Sequence, residues 1–192
     1  MHVLLVQFEI AWENKAANHD RVRALLHQAA PPAGALVILP EMFATGYSFN
    51  VQLVADNDTQ STTAFLGELA REFKVGILAG LVAKTETGRG LNQAVLIRPD
   101  STEQGRYTKV HPFGYAGETA AYDAGRGATV FPWAGTILAP VICYDLRFPE
   151  LWRAAVRRGA EVFTIGASWP EARQRSEEHT SELQSQFRIS YA

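Results

Sequence analysis

The chain has 192 residues, 47% of them hydrophobic, and 18 basic against 20 acidic side chains give a formal net charge of -2. That length suits one domain with a substantial core, and so balanced a charge offers no broad positive field for nucleic acid. No apolar run approaches membrane length and no basic leader opens the chain, so the expectation is a cytoplasmic protein with neither a nucleic-acid nor a membrane partner.

In chain order, HVLLVQFEI predicts a buried strand, and Val22, Leu25, Leu26 and Ala29 recur at helical spacing within a helix over Asn18 to Ala30. Pro31, Pro32 and Gly34 stop it, and Ala35 to Leu39 form a short strand that ends at Pro40 and Glu41. A second amphipathic helix, Thr62 to Phe73, runs into the strand VGILAGLV. Further strands are predicted at Asn92 to Arg98, around Arg106 to Val110, at Thr136 to Ile142 and at Glu161 to Ile165, with a helix at Pro149 to Arg158. This alternation argues an α/β layered fold, in which ligands lie beyond the carboxyl ends of strands.

Cys143, the sole cysteine, excludes an internal disulfide and a thiolate zinc site, leaving packing or chemistry. It ends the run ILAPVIC ahead of a helix with Pro149 near its first position, where helix N–H groups would lower the thiol pKa. A core cysteine fits the local context equally well. Glu41, in LPEMFATGY, is flanked by apolar residues that would raise its pKa toward that of a general base, although a solvated loop carboxylate is the simpler reading of it alone. Lys109, in GRYTKVHPFGYAGE, suits a developing oxyanion, yet most lysines are merely solvated.

Taken in order, LPEMFATGY, YTKVHPF, the glutamate of AGE and VICYDLRFPELWR resemble the nitrilase superfamily of carbon-nitrogen hydrolases, from Met1 to about Arg173. The resemblance implies an α-β-β-α sandwich of two central sheets covered by helices, often paired as a homodimer through one helical layer. It places a catalytic triad at Glu41, Lys109 and Cys143, with Glu118 as the supporting glutamate. It also implies acyl transfer: Glu41 takes the thiol proton, Cys143 attacks an amide carbonyl, and Lys109 with the backbone N–H of Tyr144 holds the oxyanion. Water activated by Glu41 then hydrolyses the thioester, with no metal or organic cofactor required. CYDLRFPE with KVHPFGYAGE looks closest to the omega-amidase branch, acting on 2-oxo dicarboxylic acid monoamides, with nitrilase or N-carbamoyl amino acid hydrolase activity as alternatives.

Arg147 is a candidate for a substrate carboxylate or for a structural salt bridge. Tyr47, Phe113, Tyr115 and Trp169 are candidate pocket residues, and His111 reads as structural. A cysteine peptidase would need a histidine base and would leave the lysine and glutamate motifs unexplained. A metabolite-binding or scaffold protein without turnover is a third reading, and the GRG and GRGA segments lack the context of a nucleotide-binding turn. From Gln174 the apolar pattern stops: Arg175 to Ser185 and Ile189 to Ala192 resemble a translated sequencing adapter around a variable index. The expectation is therefore a hydrolase domain over 1–173, truncated at its C-terminus, and a non-native tail over 174–192; the competing reading is a helix capped by Ser176.

Overall fold

A computed structural model describes residues 1–56 and 61–169. The tail and the domain boundary expected near Arg173 lie outside those residues. Five strands, β1 (Val3–Leu5), β2 (Leu36–Ile38), β3 (Gly76–Lys84), β4 (Gly90–Ile97) and β5 (Glu103–Thr108), make one sheet in sequence order. β1, β2 and β3 run parallel, and β4 and β5 join antiparallel. A second sheet orders β6 (Phe131–Trp133), β7 (Thr136–Ile142) and β8 (Val162–Gly166), with β7 antiparallel to β6 and parallel to β8.

The period-2 alternation of strands separates two cores. Val37, Ile77, Ala79, Val95 and Ile97 face outward onto Val22 and Leu26 of α1 (Lys15–Ala29) and Leu66, Leu69 and Ala70 of α3 (Thr62–Phe73). Leu36, Leu78, Ala94, Leu96 and Tyr107 face the other way, onto Phe131, Trp133, Leu138 and Ile142 of the second sheet. On the far side, α5 (Pro149–Arg157) buries Leu151 and Ala155, and its Trp152 ring lies 4.6 Å from that of Phe163 on β8. The layers are thus helix, sheet, sheet, helix, as the sequence pattern and the resemblance led one to expect.

Several boundaries move for identifiable reasons. α1 starts three residues earlier than expected because Asn14 caps it, accepting from Ala17 N at 3.1 Å. Asn18 lies inside the helix instead. Its buried amide bonds both backbone groups of Ala11 and the carbonyl of Ala44, tying the helix to the loop after Glu41. β1 is short because its partner β2 has only three residues, although Val6 N still reaches Ile38 O at 3.0 Å. β6 was not expected; it is an edge strand and carries Pro132, which weakens a strand signal in the sequence. Two short helices, α2 (Val51–Val54) and α4 (Glu118–Ala121), also escape the periodicity.

Candidate active site

The site forms where loops beyond the strand ends of both sheets meet. Leu39 N bonds Leu78 O, Gly80 N bonds Pro40 O and Phe43 N bonds Gly80 O, so the Glu41 segment lies along β3. A Cβ on Gly80 would stand 2.6 Å from Glu41 Cα, and only glycine admits that approach. Lys109 follows β5, its N–H bonding Asn92 O on β4 at 2.9 Å and its carbonyl accepting from Gly125 N at 2.7 Å. Glu118 opens α4 directly after Gly117, which takes a φ of 87°. Cys143 follows β7 at the start of a 3-10 turn, Cys143–Arg147, with a φ of 48° that a side chain rarely adopts.

Lys109 Nζ lies 2.9 Å from Glu41 Oε1 and 2.9 Å from Glu118 Oε2, and all three side chains are essentially removed from solvent. Glu41 Oε1 also accepts from Asn92 Nδ2 at 2.8 Å, and its Oε2 accepts from Ser168 N at 3.0 Å. Glu118 accepts from Asn92 Nδ2, from the Tyr47 hydroxyl at 2.7 Å and from Phe113 N. The apolar surroundings expected of Glu41 are therefore wrong: proline and methionine flank it in sequence, but its carboxylate sits in a dense polar cage. Burial alone would depress the lysine and raise the second glutamate. The ion pairs outweigh it, so Lys109 is held above and Glu118 below the ordinary range.

Cys143 is 9% exposed, and its Sγ accepts from the Trp169 indole N–H at 2.9 Å. Burial, then the charge of Glu41, push the thiol well above its usual pKa, opposed by Lys109 and by the indole. This corrects the expectation of a thiol acidified by a helix. The residues that follow Cys143 form a tight 3-10 turn, α5 begins only at Pro149, and burial together with the charge of Glu41 outweighs any acidifying influence at the thiol.

Of the candidate pocket residues, Tyr47 packs its ring 5.4 Å from Lys109 Nζ, and Phe113 meets Tyr144 edge-on at 4.8 Å. Trp169 touches the thiol. Tyr115 is 87% exposed and flanks Phe113 on the surface, so it lines no enclosed pocket. Arg147 ends the 3-10 turn, half-buried. His111 stacks on Phe148 at 3.6 Å and pairs with the buried Asp145 at 2.9 Å, a structural role as expected. Three contributors were missed in the sequence: Asn92, the backbone of Ser168, and Asp145, which also takes Tyr107 Oη at 2.6 Å and Ile142 N at 3.2 Å and so pins the turn carrying Cys143. Among the described residues no group of three or more His, Cys, Asp or Glu is placed to hold a metal, and no helix is long and apolar enough to cross a membrane.

Fold and side chains together define an α-β-β-α sandwich with a cysteine, a lysine and two glutamates gathered between its sheets. The chain belongs to the carbon-nitrogen hydrolase family, whose sequence profile matches residues 3–190 and so runs past the boundary expected near Arg173. It is 31% identical over 166 residues to 2-oxoglutaramate amidase of Bacillus subtilis, covering 86% of this chain and 64% of that protein. It is 32% identical over 176 residues to an omega-amidase of Yersinia enterocolitica, covering 90% and 65%. The chain thus spans just under two thirds of the length of these two relatives. A solved CN-hydrolase superfamily protein from Xanthomonas campestris, described with an arsenic adduct in its active site, superposes with a TM-score of 0.82 at 32% identity, covering 96% of this chain and 72% of that one.

Proposed function

We propose that this chain carries the catalytic centre of an amidase that cleaves a small linear amide through a thioester on Cys143. The observation that carries the reading is Lys109 clamped between Glu41 and Glu118, with the charge of Glu41 acting on the buried Cys143 thiol. A thiol held neutral by burial needs a base at the moment of attack, and Glu41 is the carboxylate whose charge bears on it. As Sγ bonds to the carbonyl carbon, the proton passes to Glu41 and negative charge gathers on the carbonyl oxygen. Lys109 Nζ and the N–H of Tyr144, in the first turn of the 3-10 helix, stabilise that charge. Glu41 returns the proton to the departing ammonia, then draws one from the water that opens the thioester. Glu118 holds Lys109 and leaves proton transfer to Glu41.

The substrate reading is a 2-oxo dicarboxylic acid monoamide, following the two amidase relatives, with Arg147 pairing the distal carboxylate and Tyr47, Phe113 and Trp169 bounding the acyl group. Ammonia release across such monoamides, simple amides, nitriles and N-carbamoyl amino acids tests it. Cys143→Ala is expected to abolish turnover with its thermal transition unchanged; near-normal amide hydrolysis by that variant would end the thioester reading. Preference for a nitrile or carbamoyl substrate would reassign the specificity.

A further inference from the structure

We infer that Asn92 is a positioning residue that makes Oε2 of Glu41, and not Oε1, the oxygen that receives the Cys143 proton. The inference rests on the acyl-transfer reading above. Asn92 and Lys109 lie opposite one another at the edge of the β4–β5 ladder, Lys109 N bonding Asn92 O at 2.9 Å, so their side chains rise on one face. The Asn92 amide, 1% exposed, spends both hydrogens of its nitrogen on carboxylates: Glu41 Oε1 at 2.8 Å and Glu118 Oε1 at 3.0 Å.

The other half of the same amide shows what is being selected. Among the described residues Asn92 Oδ1 is buried with no hydrogen-bond partner, an arrangement that costs stability. Turning the amide over would aim that oxygen at both carboxylates and lose both bonds, so the group is held for its donors. It is also neutral. An ammonium in its place would hold Glu41 ionised too strongly to accept a proton, and a carboxylate would add a third negative charge to a cage with a single cation.

The consequence falls on Glu41. A carboxylate oxygen offers about two lone-pair directions, and those of Oε1 are taken by Lys109 Nζ at 2.9 Å and Asn92 Nδ2 at 2.8 Å. Among the described residues Oε2 takes one donor, Ser168 N at 3.0 Å, which leaves it a further lone-pair direction. The proton lost by Sγ therefore lands on Oε2, while Oε1 stays gripped as a carbonyl acceptor and the carboxyl group cannot rotate. The carboxyl then faces the leaving amine and the hydrolytic water with the same oxygen.

The test is the pH dependence of Cys143 alkylation by iodoacetamide, followed by mass spectrometry on the whole chain, with amide kcat and KM measured alongside. Glu41→Gln is the control: if its alkylation profile matches the parent's, the base assignment fails, whatever Asn92 does. If the control removes the acid limb, Asn92→Ala is expected to move that limb up by about one to two pH units, because a carboxylate that loses a donor binds its proton more tightly. Amide kcat should fall about 10- to 100-fold with little change in KM. Asn92→Asp, nearly isosteric, should move the limb further, and it decides the matter if the alanine variant does not fold. A folded Asn92→Asp or Asn92→Ala whose limb coincides with the parent's, melting temperature aside, would reduce Asn92 to a structural residue and overturn the inference.

Discussion

Gly80→Ala adds one methyl group at a place where three backbone atoms already stand. The new Cβ would lie 2.6 Å from Glu41 Cα, 2.6 Å from Pro40 O and 2.7 Å from Met42 N, and ordinary contact begins at 3.4 Å. None of the three can rotate aside. β3 and the Glu41 segment must therefore part by roughly 0.8 Å, the gap between 2.6 Å and 3.4 Å, against the paired bonds Gly80 N to Pro40 O and Phe43 N to Gly80 O at 3.2 Å. Overpacking of this kind costs about 1–3 kcal/mol, which for a domain of this size lowers Tm by about 3–10 °C. If Glu41 is the base as proposed, displacing its carboxylate by close to 1 Å should also reduce kcat/KM by about 100-fold. Thermal melting followed by circular dichroism reads the first effect and ammonia release the second. An alanine variant that melts with the parent and turns over at the parental rate would show that the close approach at Gly80 does not fix Glu41.

Two further outcomes concern stability. His19, stacked on Phe65 at 4.0 Å with Nε2 buried and without a hydrogen-bond partner among the described residues, has its pKa lowered to about 4 from 6.5 by burial. The folded state therefore binds fewer protons than the unfolded one, so this contribution is complete above pH 6.5 and is lost as the pH falls toward about 4. After allowance for residual solvent contact it amounts to no more than about 2 kcal/mol; urea titrations at pH 7 and pH 4.5 should show a smaller difference in His19→Phe than in the parent. Tyr107→Phe removes the hydroxyl that donates to Asp145 at 2.6 Å, both groups being buried, and should cost about 1–3 kcal/mol in the same titration.

What could be read in the sequence were the residues whose chemistry advertises itself. Glu41, Lys109 and Cys143 stand in distinctive motifs just beyond strand ends and Glu118 at the start of a short helix, and the structure brings them together. Asn92 gives no such signal: in the string GLNQAVLI it is one polar residue in a strand, and its importance arises from register with Lys109 across two strands. Asp145 looks like a turn aspartate, whereas its partners Tyr107 and His111 lie 38 and 34 residues away. Ser168 contributes through its main chain, to which residue type is nearly silent. The thiol pKa was misjudged for a related reason: local order placed a helix after Cys143, but the thiol is raised first by burial in the folded chain and then by the charge of a carboxylate about a hundred residues distant in sequence.

The two sheets do not contribute alike to this centre. Glu41, Asn92 and Lys109 hang from the first sheet, while Cys143 and Ser168 hang from the second. The thiol and the carboxylate proposed as its base are therefore carried by separate slabs, and what joins them is the side-chain layer of Leu78, Leu96, Tyr107, Leu138 and Ile142. A slip between the slabs would leave every strand intact and still part the sulfur from the carboxylate proposed as its base. The apolar layer is in that sense the spacer that sets the chemistry, and competence for catalysis is a property of how the sheets dock as much as of the residues each one bears.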